Sequence, residues 1–515
     1  MLRAIFAGLA LVMVSSAPVS AAPCAGPTGL YTGQAKSSDG TLTEITVNIL
    51  CVGGGLKAQF FTPAGDFEGA AAAFAGGRFT AKVDTGVALG DVDLTQEGET
   101  LTGGFNLGGD KGALGLTRQG EALAAGAMTP RLDLTPDQWR DDVRALAADL
   151  PKVHANAFFS LTRAEFDAEV AALERRAAGA NGDEMWVGLQ QIAKSIGDGH
   201  TGIGAPPDRR VMPIEIGRFG EDFRVTAAGP GLERTLGARV VKIGGMPIGR
   251  VWARVLTLTA RRELMGLRQS DALIYLARGY ALHGLGVTAD RDRARFTLRG
   301  DDGRLFEVEV TGLQPDATVA LSSGHAQTAP RFEQPDAPFW CKPLAAERAV
   351  YCGWRSYQDL PAKAGAMFAM VDAERPAKLI IDMRDNGGGD NTVGYGALVG
   401  PIKARTDLNA RGRVYVLVGP LTFSAAMNNA AQFQDETKAI LAGQTIGERP
   451  NSYQEPRQFR LPHSHLVVRA STLWYAFRAH GPNVVAPDKE ITPTWDDVKT
   501  GRDPVLDWVL AQPTG

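Results

Sequence analysis

The chain has 515 residues, a net charge of −3, 44% hydrophobic residues and 22% charged residues. This length predicts about three domains rather than one, and the composition is that of an ordinary globular protein. Because no basic cluster stands out, neither nucleic acid nor an anionic membrane is expected as a partner. Composition by itself does not indicate an activity.

The first 22 residues have the pattern of a cleaved secretory signal. Arg3 supplies the positive charge, an apolar stretch runs from Ala4 to Val14, and small residues end the segment at a cleavage site. This stretch is shorter than the ~20 residues that a membrane-spanning helix needs. We therefore expect a protein that is exported to the periplasm or secreted and that has no membrane span.

Four cysteines suit an oxidising compartment. Cys24 and Cys51 lie in the first β-rich segment, and Cys341 and Cys352 flank a predicted turn. Exported proteins can keep disulfides and the chain has no C-x-x-C motif, so two bridges between sequence neighbours are expected rather than thiol or metal chemistry. The spacing alone leaves the three possible connectivities of four cysteines open.

The periodicity of the chain changes three times. Residues 23–122 contain short alternating runs with turn signals, which predict a small antiparallel barrel or sandwich with an accessory role. Residues 130–205 have helical spacing and end in a glycine-rich loop that carries His200. Residues 206–312 mix short strands with a helix, and in residues 336–515 strands and helices alternate around a buried sheet. The expected fold class is a multidomain α+β protein.

Ser424 lies where an apolar strand, VYVLVG, is followed by a helix, SAAMNNAAQF. The unpaired N–H groups and the positive dipole of a helix N-terminus would stabilise a developing oxyanion, so this serine could be the nucleophile of an acyl-transfer site. Serine is also a favoured helix cap, and most serines at such turns are only that.

Two further segments bear on this serine. The segment IIDMRDNGGGDN ends a buried strand in the glycines Gly387 to Gly389, which let backbone N–H groups approach a ligand closely. It is no phosphate loop, because no Lys-Ser/Thr pair follows. His200 is either a surface residue or a general base. A metal site at His463 and His465 is not expected, because no third ligand has a suitable spacing.

Together these segments resemble the tail-specific, or C-terminal-processing, serine proteases, a family with relatives in the tricorn protease core and the retinoid-binding repeats of the photoreceptor matrix. The resemblance covers roughly residues 135–512. The ordered segments that carry it are IGDGHT, LIIDMRDNGGG, VYVLVGPLTFSAAMNN, LAGQTIGERPN and VVAPDKEITPTWDDVKTGRDPVLDWVL. It implies a crotonase-like ββα catalytic core in residues 336–515 and a PDZ-like module in residues 206–312.

The chain departs from the tail-specific branch of this family at the general base. That branch uses a lysine on the strand after a Gly-Glu turn, and the turn here reads GERP, with Arg449 and no lysine. Arginine cannot accept the serine proton, because its pKa stays above ~12. The nearest lysines, Lys438 and Lys489, do not match the motif. A histidine base, as in the tricorn-like branch, is the better match.

The histidine arrangement also differs from its counterpart in the tricorn-like branch. There a serine precedes the histidine and links it to a glutamate, whereas Gly199 precedes His200 in this chain. The identity of the third catalytic residue is therefore open, and Asp488 and Glu490 are the candidates.

The resemblance and the residues together predict an exported serine peptidase in which Ser424 attacks a peptide carbonyl and His200 is the general base. The N–H groups of Gly387, Gly388 and Ala425 would hold the oxyanion. The expected partner is a peptide or protein substrate, and no cofactor is expected. The alternative is a catalytically silent peptide- or lipid-binding protein on the same fold. A sugar-binding protein acting through the N-terminal barrel has only the β-rich composition in its favour.

Overall fold

The structure is a computed structural model. It describes residues 24–513 apart from short gaps at 38–41, 63–64, 85–88, 108–109, 125–126, 128, 207–209, 315–316, 318 and 325–327. The predicted signal segment, residues 1–22, lies outside the described residues. The chain divides into two compact units, Met1–Met128 and Thr129–Gly515, so the three parts expected after residue 129 belong to one unit.

The first unit contains a closed barrel of antiparallel strands. The strands are β1 (Gly29–Lys36), β2 (Leu42–Val52), β3 (Gly55–Thr62), β4 (Gly65–Ala75), β5 (Arg78–Asp84), β6 (Leu89–Glu97), β7 (Thr100–Leu107) and β8 (Asp110–Gly120). Each strand pairs with its neighbour in sequence, and β8 closes on β1. Apolar side chains such as Val47, Phe60 and Phe79 form its core, as expected where alternate residues point inward. The expected small barrel is confirmed.

The second unit begins with three helices that lead to His200. They are α1 (Pro136–Val153), α2 (Arg163–Arg176) and α3 (Gly182–Ser195). Thr135, Thr162 and Asn181 form a capping box at the three N-termini, which satisfies backbone N–H groups that the helix leaves unpaired. Helix α3 is largely buried, and the loop with His200 follows its last turn.

The middle of this unit is a mixed segment around an antiparallel sheet of order β10-β11-β12-β14-β15, with β13 beside β12 and β16 beside β11. Its elements are β9 (Gly202–Ile203), β10 (Ile214–Phe219), β11 (Asp222–Ala228), a 3-10 turn (Glu233–Thr235), β12 (Arg239–Ile243), β13 (Met246–Pro247), α4 (Ile248–Val255), a 3-10 turn (Leu256–Leu258), α5 (Met265–Tyr275), α6 (Gly279–Gly284), β14 (Arg293–Arg299), β15 (Leu305–Thr311), β16 (Ser322–Ser323) and a 3-10 turn (Pro330–Phe332).

The last part is built on a sheet of order β17-β18-β19-β20-β21-β24, in which only β17 and β18 pair antiparallel. Its elements are β17 (Phe339–Leu344), β18 (Ala349–Trp354), α7 (Leu360–Glu374), β19 (Lys378–Asp382), α8 (Asn391–Gly394), a π turn (Tyr395–Val399), α9 (Gly400–Ala404), β20 (Val414–Val418), α10 (Ala425–Glu436), β21 (Ile440–Gly443), β22 (Asn451–Arg460), β23 (Val467–Ala476), β24 (Lys489–Glu490), α11 (Trp495–Lys499) and α12 (Pro504–Leu510). Strands β19 and β20 are buried along their whole length, as expected for a parallel sheet covered on both faces.

Two features of this architecture position the site. The glycine loop and Ser424 follow the carboxyl ends of the adjacent parallel strands β19 and β20, where open α/β sheets place their ligands. Strand β9, two residues after His200, pairs with β23. The histidine loop is therefore tied to the three-stranded sheet β22-β23-β9, which is separate from the sheet that leads to Ser424.

Each disulfide joins two cysteines that are neighbours in the order of cysteines along the chain. Cys24 bonds Cys51, and Cys341 bonds Cys352 across the paired strands β17 and β18. Disulfides are typical of proteins in an oxidising compartment such as the periplasm or the extracellular space. Within the described ranges, no helix combines the length and the apolar character needed to cross a bilayer.

Candidate active site

Ser424 has a backbone conformation that is rare for a residue with a side chain. Its φ is +54° and its ψ is −127°, which costs about 1–3 kcal/mol and is found mostly at functional sites. The serine does not cap α10, because its side chain makes no cap hydrogen bond. Thr422 instead ties the turn together, accepting the Gly419 N–H at 3.1 Å and donating to Met383 O at 2.9 Å. The Ser424 hydroxyl is thus left free at the positive end of a helix.

Glu448 connects Ser424 with His200. Its side chain is 0% exposed. Oε2 accepts the backbone N–H of Ser424, and Oε1 lies 3.5 Å from His200 Nδ1, a separation that is common for catalytic contacts before substrate binds. The imidazole of His200 stacks on Phe423, with ring centroids 4.5 Å apart. The structure thus brings the predicted nucleophile and the predicted base together around a third residue.

The two residues expected as third member of the group lie elsewhere. Asp488 pairs with Arg411 at 3.1 Å, and Glu490 accepts the Thr445 hydroxyl at 2.9 Å; both are exposed. Neither contacts the histidine, whereas Glu448 does. The sequence signal for Glu448 is the Gly-Glu turn, where the family resemblance had directed attention to a lysine.

The turn after Glu448 contains no alternative base. The Arg449 guanidinium donates to the carbonyl oxygens of Arg262 at 3.2 Å and Asn483 at 3.3 Å, so this arginine holds the turn. Lys438 and Lys489 are exposed. These contacts give Arg449 a structural role.

Burial opposes charge on the titratable side chains around Ser424. It lowers the pKa of His200 to about 4, so the imidazole is neutral at physiological pH and able to accept a proton. Burial raises the pKa of Glu448 well above its ordinary value, and the nearby carboxyl of Glu263 raises it further. The pKa of Glu263 is itself raised to about 7, again mainly by burial. The site therefore combines a neutral histidine with two buried glutamates that resist carrying charge together.

Gly199 explains how the histidine loop differs from the family pattern. Its backbone N–H donates to Glu263 Oε1 at 2.9 Å. A Cβ atom at this position would lie 3.0 Å from the Phe423 ring, which stacks on His200. A side chain such as serine at position 199 would therefore press on that ring, and glycine leaves room for it.

Asp198 fixes the backbone on either side of His200. Its buried carboxylate accepts the N–H groups of His200 at 3.1 Å and Thr201 at 2.8 Å. The same oxygen accepts the Ser471 hydroxyl at 2.6 Å, from strand β23. Because the Asp198 carboxylate binds both the histidine loop and strand β23, it sets the position of His200 relative to that strand.

A second buried histidine completes this network. His154 Nε2 lies 3.0 Å from the other oxygen of Asp198, and the Asn156 N–H donates to His154 Nδ1 at 3.0 Å. Nδ1 is thus an acceptor and the ring proton is on Nε2, so His154 donates to Asp198. Although burial raises the pKa of Asp198, these contacts and the Ser471 hydroxyl lower it to about 2. Sequence analysis missed both residues, because nothing in their spacing joins them.

We expect Asp198→Asn to lower kcat by about 100-fold, the cost of a misplacement of about 1 Å in a catalytic group, with little change in KM. An amide in this place cannot accept from His154, Ser471 and two backbone N–H groups at once. Steady-state kinetics on the folded variant would measure the effect. The matched control is Asp142→Asn, because Asp142 is equally buried and also accepts two backbone N–H groups, at 2.8 Å and 2.9 Å, far from the histidine loop. Equal kcat values in the two variants would show that Asp198 has no positioning role.

The predicted oxyanion donors lie against the serine. Gly388 has a φ of +110°, and a Cβ atom on it would be 2.7 Å from Ser424 Cβ and 3.3 Å from the backbone nitrogen of Ala425. Ala425 opens α10, where an N–H has no partner inside the helix. The Gly388 N–H donates to Asn386 Oδ1 at 3.0 Å, a bond that it must give up to hold an oxyanion. A Cβ on Gly387 would meet nothing within 4 Å.

Gly388→Ala should lower kcat by about 10²–10³-fold, the usual cost of losing one oxyanion donor, because alanine keeps the N–H but its methyl group would displace it from the serine. The added methyl group would collide with Ser424, and the positive φ disfavours any side chain. Gly387→Ala is the matched control, since it keeps the backbone N–H and its methyl group enters open space, so the loop and its donors stay in place. Kinetics and thermal unfolding of both variants would check this, and a folded Gly388→Ala enzyme with near-normal kcat would show that the loop is only a turn.

In the described parts of the chain, no group of three or more histidine, cysteine, aspartate or glutamate side chains is arranged to hold a metal ion. His463 lies 3.5 Å from Asp141, and its backbone N–H donates to Asp142. This histidine therefore belongs to the contacts between the β22–β23 turn and α1.

Comparisons with solved structures identify the fold of the chain. No family model and no curated protein matches the chain. Mature CPAF in complex with lactacystin matches with a TM-score of 0.52 and 10% identity, over 73% of this chain and 97% of that chain. A point mutant of CPAF matches with a TM-score of 0.52 and 12% identity, over 74% and 99%. The photosystem II D1 C-terminal processing protease is 16% identical over 69% and 92%, with a TM-score of 0.33.

The chain has the fold of CPAF. At 10% and 12% identity, the similarity to CPAF establishes the fold. The reaction has to be argued from the side chains.

Proposed function

We propose that this protein is a serine peptidase that hydrolyses peptide bonds, with Ser424 as nucleophile, His200 as general base and Glu448 as the carboxylate behind the base. The observation that carries the proposal is the position of Glu448, which accepts the Ser424 N–H with one oxygen and faces His200 Nδ1 with the other. A strained serine with a free hydroxyl has no evident structural purpose, and this favours catalysis over a silent binding protein.

In the proposed reaction, Ser424 Oγ bonds to the carbonyl carbon while its proton passes to His200. Nδ1 faces Glu448, so Nε2 is the nitrogen that accepts this proton, and the carboxylate stabilises the imidazolium that forms. The C–N bond then breaks as His200 returns the proton to the leaving amine. Water repeats the sequence on the acyl-enzyme, and the acid leaves with Ser424 restored.

The negative charge on the tetrahedral intermediate would be held by backbone donors. The proposed donors are the N–H groups of Gly388, which lies against Ser424, and of Ala425, the next residue, and the dipole of α10 adds a favourable field. Gly387 is a further donor in the same loop. The Gly388 N–H would exchange its Asn386 acceptor for the oxyanion, so the resting loop keeps this donor satisfied until substrate arrives.

We further propose that residues 336–515 are a crotonase-like core and that residues 206–312 are a PDZ-like module. An edge strand of the sheet in this module, β10 or β15, could accept an extended peptide by strand addition. Export to the periplasm or beyond belongs to the same proposal, and two disulfides and the signal pattern of residues 1–22 support it.

Labelling with a fluorophosphonate probe tests the proposal directly. An activated serine reacts covalently with this probe, whereas an ordinary surface hydroxyl does not. We expect one label per chain, located on Ser424 by peptide mass spectrometry and absent in Ser424→Ala. A folded protein that takes up no label at neutral pH would instead be the silent binding protein.

A further inference from the structure

A cavity of about 460 Å³ lies beside His200 and is not used by the chemistry described above. Its walls come from α3, the histidine loop, strand β9, helix α5, the start of α6 and strand β23. Leu258, Ile274 and Tyr275 contribute apolar and aromatic surface to it. A cavity of this size accommodates one or more amino-acid side chains of a bound peptide.

Three cationic side chains line this cavity: Lys194, Arg278 and Arg469. The ammonium group of Lys194 donates one hydrogen bond, to Gly199 O at 3.2 Å, which leaves two of its three N–H groups available. Within the described residues, neither arginine has a side-chain hydrogen bond or a carboxylate partner. These donors are therefore available to a ligand.

Negative charge in the lining is limited to one group among the described residues. Asp271 is that group, and burial raises its pKa, although Lys194 opposes the shift. Gly202 lets the lysine lie close to the cavity floor, since a Cβ on it would be 3.1 Å from Lys194 Cε. The cavity thus combines apolar walls with an excess of positive charge, which suits a carboxylate on an apolar stem.

We infer that this cavity binds a carboxylate of the peptide substrate, held by Lys194, Arg278 and Arg469 while the scissile bond lies at Ser424. The carboxylate belongs to an aspartate or glutamate side chain, whose methylene groups contact the apolar wall formed by Leu258, Ile274 and Tyr275. Charge-assisted hydrogen bonds supply the affinity, and an uncharged amide in the same place accepts only the weaker bonds of a neutral group, so the site favours the carboxylate. This inference rests on the peptidase function proposed above.

Cleavage of matched peptides tests the inference. Digestion of a defined peptide mixture, read by mass spectrometry, identifies the best substrate. Four versions of it are then made for each acidic position, which combine glutamate or glutamine at that position with a free or an amidated C-terminus. We expect kcat/KM to fall about 10–100-fold when the bound carboxylate is neutralised. A loss caused by amidation of the C-terminus alone would overturn the inference, because it would place the terminus and not a side chain in the cavity. Equal rates in all four peptides would overturn the inference.

Charge reversal in the cavity supplies a second test. Arg278→Glu should weaken cleavage of the carboxylate peptide by at least the same factor and improve cleavage of a peptide with lysine at that position. Arg278→Gln covers the case in which the reversed variant does not fold. Arg299→Glu is the control, because Arg299 is an exposed arginine on β14 away from the cavity. If Arg278→Glu and Arg299→Glu cleave the carboxylate and lysine peptides with the same relative rates, the inference is contradicted.

Failure of the proposed function can be told apart from failure of this inference. If no peptide is cleaved and Ser424 takes up no fluorophosphonate, the peptidase proposal fails. The cavity is then tested by binding alone, with fluorescein-labelled Glu, Gln, free-end and amidated peptides titrated into the Ser424→Ala variant. A preference for the carboxylate that Arg278→Glu removes would support the cavity, and equal binding of all four would overturn it.

Discussion

Ser424→Ala should lower kcat for peptide hydrolysis by about 10⁴-fold or more, and His200→Ala should come close to the same loss. Serine's hydroxyl is a weak nucleophile at neutral pH, and a base is required to take its proton. Because the two residues act in one step, the double variant should be little worse than either single variant. Single-turnover and steady-state kinetics on the three variants would measure this.

Exposed lysines provide the control for this prediction. Lys438→Ala and Lys489→Ala should retain full activity, since both side chains point into solvent. The contrary result would be an active His200→Ala enzyme whose remaining rate rises only at alkaline pH and disappears with either lysine. A displaced lysine base would then replace the histidine in the mechanism.

Glu448→Gln should lower kcat by about 10⁴-fold, the loss seen when an amide replaces the carboxylate of a catalytic triad. Glutamine can still accept the Ser424 N–H, so the nucleophile keeps its backbone position, but it cannot stabilise an imidazolium. Glu490→Gln and Asp488→Asn are the controls and should retain nearly normal kcat, because their partners are Thr445 and Arg411. A nearly normal rate for Glu448→Gln would remove this residue from the mechanism.

The same residue predicts the pH dependence. Burial and the charge on Glu263 raise the pKa of Glu448, and Asp198 acts in the same direction. The carboxyl is protonated below its pKa, so kcat/KM should fall as the pH falls through a value well above the ~4.3 of an ordinary glutamate. His200 stays neutral over this range, because its own pKa is lowered to about 4. This fall of kcat/KM at low pH should be absent in Glu448→Gln. An unchanged pH profile in that variant would assign the fall to another group.

Features that depend on neighbours along the chain could be predicted from the sequence. Short alternating runs between turn signals predicted the barrel, because side-chain direction in a strand has a period of two. Ser424 and the glycines were recognisable at the ends of buried strands, because a strand followed by small residues marks a turn whose N–H groups are free. The pairing of Cys341 with Cys352 also followed from proximity in sequence.

The composition of the proposed catalytic group depends on the tertiary structure. Asp488, Glu490 and Glu448 are all acidic residues near the predicted core, and only the path of the chain after β21 brings Glu448 to the serine and the histidine. The contact between His154 and Asp198 depends likewise on the packing of the histidine loop against α1 and β23. Electrostatic interaction and hydrogen bonding depend on distance through space and on burial, and neither is determined by separation along the sequence.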